Sequence, residues 1–229
     1  GALLNVGGVI TLLFAREKFH RPSRSVSLLQ RRAYGNLLRL LTTRELMPVL
    51  LAVLTVQGLP IMSYSVLPVI LEDLTFSGSG SVTGTAFAIM GLTGGVGAYL
   101  SGLVSRKATP VGILRVAVAG AALSFAPLFF SSSVSQFYML LALGGAFHGV
   151  GLTMTGSLVA LAVSGEEQGV AFGLMQAVQV CAFSISHMMG GVIGATAGLR
   201  WVFPVQAAGL LVLLASIGRL LSSPTDDEL

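Results

Sequence analysis

The chain has 229 residues, 54% of them apolar and only 10% charged, with 29 glycines, a net charge of +4 and a mean hydropathy of +0.87. A soluble domain carries about 25% charged residues to keep its surface in water, so a cytosolic globular enzyme and a disordered chain are both excluded. The single cysteine, Cys181, excludes a disulfide-stapled module, and glycine without a period of three excludes collagen.

The first element, Gly1–Ala15, is apolar but too short to span a bilayer comfortably. It reads as the end of a span whose start lies upstream. A basic connection, 16–45, follows and holds eight of the 13 basic residues, from Arg16 to Arg44. Such a patch between apolar segments marks a membrane face rather than a nucleic-acid site. Its second half, Ser27–Leu41, sets leucines beside Arg31, Arg32 and Arg39. It reads either as an amphipathic helix on the headgroups or as a solvated linker.

Six apolar runs then suit a hydrocarbon core about 30 Å thick. They are Leu46–Leu71, Val82–Val104, Pro110–Phe130, Gln136–Val163, Gly169–Ala195 and Leu199–Leu221. Backbone groups in lipid must be satisfied within their own segment, so the runs are expected to be helices. Alternating ten-residue segments, the mark of a membrane barrel, are absent. The fold class expected is therefore an all-α membrane protein, with a six-helix bundle over 46–221 and a tail over 222–229.

Charge gives the expected orientation. Connection 16–45 and the Arg106–Lys107 turn are basic, whereas connections 72–81 and 131–135 carry no Lys or Arg. The positive-inside rule puts the basic ends and the C-terminus in the cytoplasm and 72–81 outside. Arg200 is the exception on the outer side. Arg115, one turn inside its helix, can snorkel back to the inner surface.

Within the spans, three patterns stand out. Gly91 and Gly95, Gly145 and Gly149, and Gly190 and Gly194 each repeat at four residues, which lets helix backbones approach closely. Pro60, Pro68, Pro127 and Pro204 are helix breakers, expected to kink their spans or to expose backbone along a cavity. No Asp or Glu lies near the middle of a span; the inner polar residues are Gln57, His148, Gln176, Gln179 and His187. Gln176, Gln179, Phe183 and His187 share one helical face, as do Gln57, Ile61, Tyr64 and Pro68. Polar side chains seldom face lipid, so both stripes are expected to face the bundle interior, as interhelical hydrogen bonds or as the lining of a path. His148 and His187 lie at different depths, which argues against a shared haem, and no further ligands accompany them for zinc. No cofactor and no metal are expected.

The connection Gly165-Glu166-Glu167-Gln168-Gly169-Val170-Ala171-Phe172-Gly173 resembles the P-E-E-R-G-x-A-x-G loop between spans 10 and 11 of major facilitator superfamily transporters. Gly198-Leu199-Arg200-Trp201-Val202-Phe203 looks like the start of their span 12, and Leu67-Pro68 with Glu72 like the end of their span 7. There are departures: Gln168 stands for the loop Arg, and Arg106 for the Asp of the G-x-L-x-D-R signature between spans 8 and 9. The resemblance covers the whole chain, from the end of span 6 through the linker between halves to span 12, and is nearest to the twelve-span drug:proton antiporters.

The resemblance implies half of a two-bundle fold, completed by an N-terminal six-helix half that this chain lacks. It implies a multi-pass transporter of the plasma (inner) membrane, not an enzyme. Alternating access would move a small-molecule substrate between the halves, with protons as coupling ions and efflux of amphipathic compounds as the activity. Gly165, Glu166, Glu167, Gly169 and Gly173 would form its cytoplasmic loop motif. A sugar or metabolite porter of the same superfamily, and a membrane scaffold without transport, are the alternatives. The lipid bilayer is the expected partner, and nucleic acid is not.

Overall fold

The computed structural model describes residues 45–75 and 80–220. The expectations for Gly1–Ala15, for the basic connection up to Arg44, for 76–79 and for the tail lie outside those residues. Six helices long and apolar enough to cross a membrane follow in chain order, and the described residues hold no strand. They are α1 (Leu46–Thr75), α2 (Gly80–Val104), α3 (Pro110–Phe125), α4 (Val134–Leu161), α5 (Gln168–Thr196) and α6 (Val202–Leu220). A 3₁₀ turn, Ala126–Phe130, extends α3, and a second, Leu199–Trp201, opens α6.

Local chemistry sets the helix ends. Thr109 caps α3 by accepting from the Gly112 N–H at 3.2 Å, and Pro110 occupies the first turn, where its missing N–H costs nothing. Ser133 caps α4 through the Gln136 N–H at 3.3 Å. The Gln136 side chain reaches back to accept from the Ser132 N–H at 3.0 Å, a reciprocal cap. Gly198 joins α5 to the next turn at φ +106°, a backbone region that a Cβ makes strained.

The prolines act differently from one another. Helix α1 runs unbroken through Pro60 and Pro68, so the first span is not unwound. Pro127 falls in the 3₁₀ turn after α3, and Pro204 in the first turn of α6, where its missing N–H has no intrahelical partner to lose.

Helix α1 is central. It packs on α5, α4 and α6, and 67% of its most apolar window is buried, against 17% in α2 and 28% in α5. Helix α2 packs chiefly on α4, and α3 fills the space between α4 and α6. Phe125, Phe137 and Phe203 are fully buried, with the last two rings in edge contact at 5.9 Å.

Glycine decides the α2–α4 crossing. A Cβ on Gly149 would overlap the Gly94 carbonyl, and one on Gly97 would overlap the Ala146 carbonyl. Gly145 likewise faces the Met90 carbonyl at 2.5 Å from its missing Cβ. Gly91 and Gly95 meet nothing, so on α2 the close approach falls to Gly94 and Gly97. On α5, Gly190 sits against the Met62 carbonyl of α1, 2.6 Å from where its Cβ would stand. Gly194 is looser, with side chains of Leu199 and Val66 at 3.1 and 3.3 Å.

Candidate functional site

The interior polar groups of the bundle are uncharged. Gln57 of α1 is buried, and its Nε2 donates to Thr155 Oγ1 of α4 across 3.5 Å. Thr155 in turn donates to the Gly151 carbonyl at 3.0 Å. The Gln57 Oε1 is buried without a hydrogen-bond partner. Six residues further along α1, buried Ser63 donates to Gln206 Oε1 of α6 at 2.5 Å, and the Gln206 Nε2 has no partner. Two amides thus tie α1 to α4 and α6, each with half of its bonding capacity unused.

These pairs differ in energetic terms. Gln57 holds a long bond while burying an orphaned oxygen, and an orphan costs more than a weak bond returns. Gln57→Leu is therefore expected to leave the melting temperature in detergent unchanged or slightly raised. Ser63→Ala is expected to destabilise by ~1–3 kcal/mol, because it leaves both ends of the Gln206 amide unpaired. Thermal unfolding of the two purified variants checks both signs.

His148 of α4 places its Nδ1 in the interior without a partner. It borders a cavity of about 10 Å³ with Val56, Pro60, Ala117, Ala121, Gly151 and Leu210, room for at most one water. Pro60 lacks the N–H that would bond Val56 four residues earlier, so the Val56 carbonyl is released from the helix ladder. The His148 ring faces that backbone group.

The remaining sequence-derived candidates are spread over two helices. Tyr64 of α1 is half-buried, its ring 5.0 Å from Phe87 of α2. On α5, Gln176 and His187 are exposed and Gln179 is half-buried. All three lie on the flank beside the face packed on α1. His187 Nδ1 donates to the Phe183 carbonyl at 2.8 Å, and Ser65 of α1 donates to the His187 carbonyl at 3.2 Å. The structure brings Gln57 and His148 to the α1–α4 seam and sets the α5 stripe apart from them.

In the loop before α5, Gly165 and Glu166 are exposed, and Gly165, Gly169 and Gly173 have open space around them. Ser164 donates to the Glu167 carboxylate at 2.9 Å, and the Gln168 amide reaches the Ala160 carbonyl at 3.4 Å. The loop is held by its own side chains. Arg115 lies near Gly218, so the starts of α3 and the end of α6 share one end of the bundle.

Thr155, Ser63 and Gln206 belong to the interior polar set although sequence spacing does not single them out. A lone amide within an apolar span, as Gln206 is, was the available signal. Among the described residues no group of three His, Cys, Asp or Glu side chains could hold a metal.

A family model described as Major Facilitator Superfamily matches residues 61–228. The chain belongs to that superfamily, which is one of membrane transporters rather than enzymes. No curated protein matches the chain significantly.

Proposed function

We propose that this member of the major facilitator superfamily is the C-terminal six-helix half of a secondary transporter that works by alternating access. In this reading 16–45 is the cytoplasmic linker between halves, 46–221 is the bundle and 222–229 a cytoplasmic tail. The substrate class is small amphipathic compounds, exported with protons as the coupling ion across the plasma (inner) membrane.

The α5 stripe carries the reading. Gln176 and His187 are exposed, on a helix whose other exposed side chains include Val180, Met188 and Val192. Amide and imidazole groups are costly against lipid, so their flank of α5 suits a water-filled path or a second bundle better than hydrocarbon. An uncharged interior with a few amide groups also suits amphipathic compounds better than phosphorylated ones, which would require a buried Arg or Lys. The small buried fraction of α2 and α5 supports a further set of helices lying against them.

The test is Gln179→Leu in the full-length protein. Transport rate or substrate range should change while protein abundance stays within about twofold, since substitution of a half-buried side chain outside the core costs little stability. Normal transport by a poorly expressed variant would make the residue a packing element instead. Orientation has its own check: in intact cells a membrane-impermeant thiol reagent should label Ser79→Cys and leave Ser25→Cys unreacted, with Cys181 replaced in both.

A further inference from the structure

At the end of the bundle where α1 stops and α6 begins, a cleft of about 350 Å³ opens between Asp73, Arg200, Trp201, Phe129, Ile70 and Leu199. That volume falls within the roughly 300–1,000 Å³ range of small-ligand sites. Its three walls come from the end of α1, the turn after α3 and the turn before α6, so it lies where spans end and headgroups begin. Gly198 shapes one wall through its φ of +106°.

The two charges in this cleft do not satisfy each other. Arg200 Nη1 donates to the Phe129 and Ser131 carbonyls, at 3.1 and 2.5 Å, which pins the side chain in place. Its other N–H groups make no hydrogen bond among the described residues. Asp73 is exposed and forms no ion pair with Arg200 or with any other described residue. A fixed cation and a separate carboxylate in one cleft match a ligand that carries both an anion and a cation.

The aromatic groups narrow the choice. Trp201 is 49% exposed, and its ring meets Phe129 edge-on at 5.2 Å. Phe130 beside them is 81% exposed. Indole rings with one wet and one apolar side favour the membrane interface, and their faces attract ammonium groups. Ile70 and Leu199 supply an apolar floor on which acyl chains can start.

We propose that this cleft binds a zwitterionic phospholipid headgroup, with its phosphate on Arg200 and its ammonium between Asp73 and the Trp201 ring. The site is separate from the interior polar groups and does not depend on the direction or substrate of transport. It would fix the three helix ends to the interfacial layer.

Trp201 is the sole tryptophan of the 229 residues, so its emission reports on this cleft directly. The chain in detergent is titrated with short-chain phosphatidylethanolamine, short-chain phosphatidylglycerol and free phosphoethanolamine. Phosphatidylethanolamine should shift the emission and bind about tenfold more tightly than phosphatidylglycerol, one charged hydrogen bond's difference. Asp73→Asn should abolish that preference while leaving the weaker phosphatidylglycerol binding as it was. Free phosphoethanolamine binding as tightly as the lipid would keep the zwitterion site and make its occupant a soluble one. Equal binding of the two lipids, or a preference unchanged in Asp73→Asn, would overturn the proposal. Asp73 is exposed, so its variant should fold, and an unaltered melting temperature verifies this.

Discussion

Gly149→Leu should separate α2 from α4 and lower the melting temperature of the purified protein by roughly 6–12 °C, taking ~3 kcal/mol for overpacking and about 2–4 °C per kcal/mol in a chain of this size. The reason is what the new side chain would strike. A Cβ at Gly149 would overlap the Gly94 carbonyl, a backbone atom of a helix that cannot swing aside as a side chain does. The interface would have to open along its length, because Gly145 and Gly97 make similar approaches on either side. Dispersion contacts fall steeply with separation, and in lipid no hydrophobic drive exists to pull the helices back together. Gly91→Leu provides the contrast. It lies on the same helix as Gly94, with open space where its Cβ would stand, and should change stability by no more than about 0.5 kcal/mol. Leucine is the better helix former, so propensity cannot produce a loss at either site, and equal losses in the two variants would mean that the close Gly149 approach does not set the cost.

The glycine pattern also shows where sequence reading stops. Spacing by four puts Gly91 and Gly95 on one face, but it carries no phase: it does not say which face meets a neighbour. The stretch 91–97 holds four glycines, so several faces were equally available, and the α2–α4 crossing settled on Gly94 and Gly97. The spans themselves were legible because length and hydropathy are properties of single segments. Leu46–Leu71 was foreseen where α1 runs to Thr75, and Gln136–Val163 where α4 runs Val134–Leu161.

Interior pairing was not legible. Ser63 bonds Gln206 across 143 residues and Gln57 bonds Thr155 across 98, and neither separation leaves a periodic trace. The α5 stripe was visible because its members repeat within one helix. Pro60 reads as a breaker in isolation, yet α1 continues through it. It passes Pro68 in the same way, and what surrounds it is packing from the neighbouring helices, which no local pattern encodes.

The 229-residue chain alone, reconstituted in liposomes under an imposed pH gradient, is expected to move no dye or drug beyond the level of empty liposomes. Coupling needs a group that exchanges its proton for another partner within the membrane. Among the described residues no carboxylate lies mid-span, and His148 is the one imidazole at that depth. Its cavity is lined by Val56, Pro60, Ala117, Val118, Ala121, Phe147, Gly151 and Leu210, none of which could balance a charge. An uncompensated ion in such a place costs several kcal/mol, and a space of about 10 Å³ leaves too little water to relieve it. The ring and Pro60 line the same small cavity, so His148→Ala should act on stability by way of α1. His148→Gln, which keeps a donor near the Val56 carbonyl, should recover most of that loss. Gradient-driven transport by the chain alone, abolished in both variants, would make His148 the coupling group. Rescue of stability by Gln with no transport in any variant would fix its role as a structural partner of α1.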